Sequence, residues 1–324
     1  MSIIDTIKAP IDREFSLFRQ SFNDALTSDN PLLDEVVSYV KQQTGKMMRP
    51  VLSLLVSKSF GEVTKEVIHS SVALEMLHTA SLVHDDVVDE SDERRGQKSV
   101  NAAFGNKVAV LVGDYMFSTS VQQASLTDNC EIIHVISSLG RDLADGELLQ
   151  LSNVMNDEFS EDVYFNIIRK KTAALFAACT HTSAIASGAS GSDVERMRLL
   201  GEYIGICFQI KDDIFDYYES PKVGKPTGND MQEGKLTLPV LYLLNNTTDP
   251  AIKEIGLKVK HKNASKQEIA TLVEATKVNG GVGYAEKVMH QYVEKALEII
   301  NTIKDEEVRK SILAYVDYVV KRDK

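Results

Sequence analysis

The chain has no tryptophan, only three cysteines and seven prolines in 324 residues, and no excess of basic charge. Strict alternation of apolar and polar residues is nearly absent, which argues against half-buried strands, and so few prolines leave long stretches without a helix breaker. Cys130, Cys179 and Cys207 are far apart, lack zinc-ligand spacing and sit in apolar helical surroundings, so all three read as reduced core thiols. No apolar run approaches bilayer length, and the N-terminus has no charged start followed by an apolar core, so the chain reads as cytoplasmic without a transmembrane segment. With 47 acidic against 36 basic residues and a formal net charge of −11, a nucleic-acid partner is excluded, because a phosphate backbone needs a basic face. What remains is 43% hydrophobic residues with no long linker, the pattern of one all-α domain over 1–324.

The helices can be placed from spacing. Ile3, Ile7, Ile11, Phe15, Phe18, Phe22 and Leu26 recur at steps of three and four, with a reset expected at Pro10. Asn30 and Pro31 begin a second helix that Gly45 is placed to cap, and Pro50 fits the first turn of a third, ended near Gly61. A long apolar helix is expected over 64–89, with others near 106–126, 129–153 and 161–188. Asp128 with Glu131, and Ser192 with Glu195, have capping-box spacing, and capped helices resume after Ser265 and Gly281. Between 218 and 236 the pattern lapses into Pro221, Gly224, Pro226, Gly228 and Gly234 interleaved with Lys222, Lys225 and Lys235, a mobile cationic loop.

Two of these helices end in the same acidic pattern, Asp85-Asp86-x-x-Asp89 and Asp212-Asp213-x-x-Asp216. Residues four apart share a helix face, so Asp85 pairs with Asp89 and Asp212 with Asp216, placing carboxylates that repel without a cation. Apolar neighbours, Leu82, Val83, Val87 and Val88 around one and Ile210, Ile214 and Phe215 around the other, separate them from an ordinary solvated acidic run. Hard carboxylate oxygens suit Mg²⁺, which is usually held by one or two carboxylates plus substrate phosphates. Cations that could meet a diphosphate occur as Lys46 with Arg49, Arg94 with Arg95, Lys170 with Lys171, and the loop lysines. Lys46 and Arg49 adjoin an expected helix start, where free N–H groups favour an anion. His78 lies two turns before Asp85 on the same face, placed either to donate to a phosphate or to be satisfied in the core.

GKMMRP at 45–50, HTASLVHDDVVDESDERRG at 78–96, Lys171-Thr172, FQIKDDIFD at 208–216 and GKPTGND from Gly224 together resemble the trans-isoprenyl diphosphate synthases, or polyprenyl synthetases, and within them the long-chain octaprenyl and solanesyl branch. The resemblance implies a single-domain antiparallel helical bundle around a deep central cavity, usually a homodimer. It implies three Mg²⁺ ions, with Mn²⁺ as a substitute: Asp85 and Asp89 for two, Asp212 with Asp216 for the third, and Asp86 and Asp213 in support. Arg94, Lys171, Thr172, Gln209, Lys225 and Lys235 would contact the allylic diphosphate, and Lys46, Arg49, His78 and Arg95 would hold isopentenyl diphosphate. The catalytic set is then Asp85, Asp86, Asp89, Arg94, Lys171, Asp212, Asp213 and Lys225. Many relatives carry a further aspartate where this chain has Asn229 before Asp230.

Stabilising a departing diphosphate with metal and cationic side chains leaves an allylic cation for an alkene to attack, and the released diphosphate can take the proton, so no protein base is needed. Ala80 and Ser81, in the turn below Asp85, are small where bulky family members truncate the product. With Leu77, Met76 and Ala73 as deeper wall residues, that implies a long product with a quinone side chain as its destination, and a transient membrane contact for its release. Two competing readings are a terpene cyclase, disfavoured by the scarcity of aromatic residues, and a non-catalytic partner subunit, disfavoured by retention of both acidic motifs.

Overall fold

The computed structural model describes residues 3–43, 45–154, 156–218 and 227–322. Lys225, with Pro221, Lys222, Gly224 and Pro226 of the expected cationic loop, lies outside the described residues. Among the described residues the structure is almost wholly helical, and the strands form one antiparallel hairpin pairing Glu93 with Lys98 and Arg94 with Gln97. No described helix is long and apolar enough to cross a membrane. The chain packs as two compact units: Met1–Gly140, Leu175–Gly201 and Ile300–Tyr315 form the first, and Arg141–Ala174, Glu202–Ile299 and Val316–Lys324 the second.

In the first unit, the Ile3–Lys8 helix gives way to a 3₁₀ turn at Ala9–Ile11 and restarts as Asp12–Ala25, the break expected of Pro10. Ile7, Ile11, Phe18, Phe22 and Leu26 are buried, each side chain contributing about 1.5–3 kcal/mol of transfer free energy. Asn30 caps Pro31–Gln42 by accepting from the Leu32 and Leu33 amides. The Lys65–Val88 helix is capped by Thr64 and buried from Val67 to Leu77 at every position but the partly exposed His69, its serines and Glu75 included, which makes it central rather than amphipathic. It packs most extensively on Asn106–Ser125, where the Ser120 hydroxyl donates to the Ala73 carbonyl at 2.7 Å.

The second unit holds Glu161–Ile168, Leu238–Asn246, Pro250–Lys260, Lys266–Val278 and most of Gly281–Ile300. Its capping box at Ser265 and Glu268 is complete. The long helix expected over 161–188 is interrupted by a π-helical turn at Arg169–Ala173, which carries Lys171 and Thr172. Such bulges reorient side chains that regular spacing would send elsewhere.

Several local expectations are corrected. Asp128 has a left-handed φ of 48°, unlike the extended backbone of a cap, and Asn129 instead accepts from the Glu131 and Ile132 amides. Ser190 rather than Ser192 accepts from Asp193 at the start of Gly191–Phe215. Gly45 does not cap the preceding helix, which closes at Gln43; its missing side chain lets the Arg95 guanidinium approach, since a Cβ there would sit 3.0 Å from Arg95 Nη1. Cys179 and Cys207 are buried and their thiols are pushed up to about 12 by that burial, but Cys130, the first residue of its helix, is exposed.

Candidate active site

The first acidic motif closes the Lys65–Val88 helix, with Asp89 as its C-cap and the Asp89 amide donating to the Asp85 carbonyl at 2.8 Å. The three carboxylates differ. Asp86 is 1% exposed and accepts from Arg94 Nε and Nη2, both at 2.7 Å, whereas Asp85 is partly exposed and Asp89 exposed. The bidentate pair anchors the hairpin to the helix end, and the Asn101 amide and Ser91 N–H both donate to the Asp86 carbonyl. Arg95, next in the hairpin with φ +55°, donates to the Gln43 carbonyl at 2.7 Å, and Lys46 is exposed.

Behind the motif, Arg49 Nη1 lies 2.9 Å from His78 Nε2. Arginine can only donate, so His78 Nε2 is the acceptor and any proton on the neutral ring sits on Nδ1. Burial first, then Arg49, Arg95 and Arg94, holds His78 well below the usual imidazole range. Glu75, one turn deeper, is pushed up by burial against the pull of Arg49 and Arg95, and its Oε2 has no hydrogen-bond partner. Ala80 and Leu77 are buried, at 1% and 3% exposure, while Ser81 is partly exposed and donates to the His78 carbonyl.

The second motif lies in the second unit, at the end of the Gly191–Phe215 helix. Asp213 is buried with both oxygens occupied: Gln209 Nε2 donates to Oδ1 at 2.8 Å and Tyr164 Oη to Oδ2 at 2.5 Å. Thr172 Oγ1 donates to Gln209 Oε1 at 2.7 Å. Asp216 falls just past the helix and caps the Asn229–Gln232 turn, accepting from the Asn229 amide at 2.9 Å, Asn229 Nδ2 at 3.3 Å and the Asp230 amide at 3.1 Å. An aspartate at 229 could not supply the side-chain donor, so Asn229 has a defined local role. Asp213 is pushed well up by burial and then Asp230, Asp216 is raised by burial, and Asp230 is pushed up to about 7 by burial and Asp216.

Lys171 pairs with Glu147 and donates to Gln150 Oε1, both on Cys130–Asn153. Gly146 permits the approach, since a Cβ there would meet Lys170 Cβ and Lys171 Cγ at 2.8 Å. Lys235 Nζ donates to Glu233 at 2.6 Å. Tyr164, Lys171, Thr172, Gln209, Asp213 and Lys235 all line one cavity of about 250 Å³. Sequence reasoning missed Tyr164 and also Arg322, whose Nη2 donates to Asp212 Oδ1 at 2.6 Å while its guanidinium stacks 3.7 Å over Phe208. No motif marks either residue, and Arg322 lies 110 positions from its partner.

The carboxylates fit a hard cation by donor chemistry, and at Asp212 a guanidinium already supplies positive charge. Among the described residues no three His, Cys, Asp or Glu side chains converge into a ready-made cage. Magnesium does not need one, because substrate phosphates and water commonly complete its shell.

The polyprenyl synthetase family model matches residues 30–276. The octaprenyl diphosphate synthase of Escherichia coli is 32% identical over 300 residues, covering 92% of this chain and 93% of that protein. Among solved structures, a decaprenyl diphosphate synthase from Rhodobacter capsulatus is 31% identical with a TM-score of 0.92, covering 99% of both chains. A geranylgeranyl pyrophosphate synthase from Bacteroides thetaiotaomicron is 50% identical with a TM-score of 0.88, covering 99% of this chain and 100% of that one. The all-α architecture is therefore the isoprenoid synthase fold, and the chain belongs to the polyprenyl synthetase family of prenyl-transferring enzymes.

Proposed function

We propose that the protein is a long-chain all-trans polyprenyl diphosphate synthase, adding isopentenyl diphosphate units head to tail onto an allylic diphosphate primer. The observation that carries this reading is the presence of both aspartate motifs, each in a worked-out polar setting, within a chain that matches the family over most of its length. Asp85 and Asp89, and Asp212 with Asp216, would hold Mg²⁺, whose charge would stabilise the leaving diphosphate. Lys171, Lys225, Lys235 and Arg94 add positive charge to the allylic diphosphate, with Thr172 and Gln209 orienting it. Lys46, Arg49 and Arg95 bind isopentenyl diphosphate, and His78 orients Arg49 through its Nε2. Cleavage of the allylic carbon–oxygen bond leaves a cation that the isopentenyl alkene attacks, and the released diphosphate takes the proton.

Residues 1–324 act as one catalytic domain, a reading supported by Cys130–Asn153 and Gly191–Phe215, continuous helices that contribute residues to both units. The working form is a homodimer, with a face on Asn106–Ser125 supporting it: Val110, Phe117 and Val121 recur on one stripe and are 41–48% exposed. The setting is the cytoplasm, with transient membrane contact as the product leaves. Small Ala80 and Ser81 favour an octaprenyl-like product; the 50% identity to a geranylgeranyl synthase carries the second reading, a shorter one. Radiolabelled isopentenyl diphosphate with geranyl, farnesyl and geranylgeranyl primers, followed by chromatography, separates the two. Asp85→Ala and Asp212→Ala should each lower Mg²⁺-dependent condensation by orders of magnitude with helicity retained, and full turnover in both would remove the metal assignment.

A further inference from the structure

We propose that Tyr164 is a positioning residue for allylic diphosphate binding, its hydroxyl holding Asp213 so that Gln209 and Thr172 keep the rotamers they present to the cavity. This rests on the function proposed above and extends it to a residue outside both aspartate motifs. Tyr164 lies on Glu161–Ile168 and is 5% exposed. Its Oη donates to Asp213 Oδ2 at 2.5 Å, the Gln209 amide occupies Oδ1 at 2.8 Å, and Thr172 Oγ1 donates to Gln209 at 2.7 Å.

Each link fixes the next. Asp213 Oδ1 accepts from Gln209 Nε2, which leaves the Gln209 carbonyl to meet Thr172 and commits the threonine hydroxyl proton. With both oxygens occupied by protein donors, Asp213 acts as an anchored hinge of the network, in contrast to Asp212, which faces the Arg322 guanidinium. Without the Tyr164 hydroxyl, one oxygen of a buried carboxylate loses its donor. The side chain can then rotate toward Gln209 or away from it, and either movement releases the amide and the threonine rotamer. The Tyr164 ring packs edge-on to Phe165 with centroids 5.2 Å apart, so Tyr164→Phe preserves this contact and removes one oxygen atom.

The test uses the full chain, varying each diphosphate separately in steady-state kinetics, with calorimetric binding of inorganic pyrophosphate in Mg²⁺ as a readout independent of turnover. Leaving a buried acceptor without its donor predicts a KM for the allylic diphosphate raised about five- to a hundredfold in Tyr164→Phe, with the KM for isopentenyl diphosphate unchanged. Pyrophosphate affinity should fall alongside it. Because the effect runs through Asp213, Tyr164→Phe combined with Asp213→Asn should be no worse than Asp213→Asn alone, a comparison that remains available should Tyr164→Phe by itself fold poorly. An unchanged allylic KM, an equal rise in both KM values, or multiplicative losses in the double variant would each overturn the proposal. Absence of condensation by the wild-type chain would instead overturn the proposed function, and equal pyrophosphate affinity of wild type and Tyr164→Phe would still count against Tyr164.

Discussion

Replacing Arg94 with methionine tests whether this arginine anchors the fold. Its Nε and Nη2 are both committed to Asp86, whose side chain is 2% exposed while that of Arg94 is 29% exposed. Breaking a buried pair by removing one partner costs about 3–5 kcal/mol because the other charge is stranded, and partial exposure of the arginine brings the expected loss to about 2–4 kcal/mol. For cooperative unfolding of a 324-residue chain, an entropy near ~2.1 cal/mol/K per residue converts this to a drop in Tm of about 3–6 °C. Differential scanning calorimetry of the free protein in Mg²⁺-free buffer reads it without any contribution from ligand. The double variant Arg94→Met/Asp86→Leu removes both charges together and should recover most of the loss. A Tm for Arg94→Met within about 1 °C of wild type, or a double variant as unstable as the sum of the singles, would show that the pair does not anchor the hairpin.

Two further outcomes follow from the same geometry. Ala80→Phe places a ring at a position 1% exposed directly below the first motif and should shift products to shorter chains; an unaltered product ladder would show that position 80 does not limit chain growth. His78 is held neutral in the fold, so as pH falls below the ordinary imidazole value of about 6.5 the unfolded chain takes a proton that the folded chain resists. Its stabilising contribution is thus fully present above that pH and is lost as pH descends toward the depressed folded value, with a slope of at most about 1.4 kcal/mol per pH unit. Denaturant titrations from pH 7.5 to about 5 should show a shallower decline for His78→Gln than for wild type, and parallel curves would remove His78 from the acid response.

Long helices were legible because burying an apolar face leaves a spacing in the sequence, and 64–89 became Lys65–Val88 with little adjustment. Caps were less so: Asp128 and Asn129 are both acceptable cap residues, and only backbone angles choose between them. The π-helical turn at Arg169–Ala173 was invisible to a search for regular periodicity, though the Lys171-Thr172 pair it carries was recognised. Cys130 was misplaced because an apolar neighbourhood in sequence does not say which way a helix's first residue points.

Residue type and spacing therefore settled the helical class, the two aspartate clusters and the cations that accompany them, since these follow from periodicity and from the chemistry of individual side chains. Which carboxylate meets which donor was decided only by folding. Asp86 turns to Arg94, Asp213 to Tyr164 and Gln209, and Asp212 to Arg322, although the two motifs read almost alike along the chain. Such partnerships depend on directions and on contacts between distant segments, and a hydrogen bond spanning 110 residues leaves no local pattern from which it could be read.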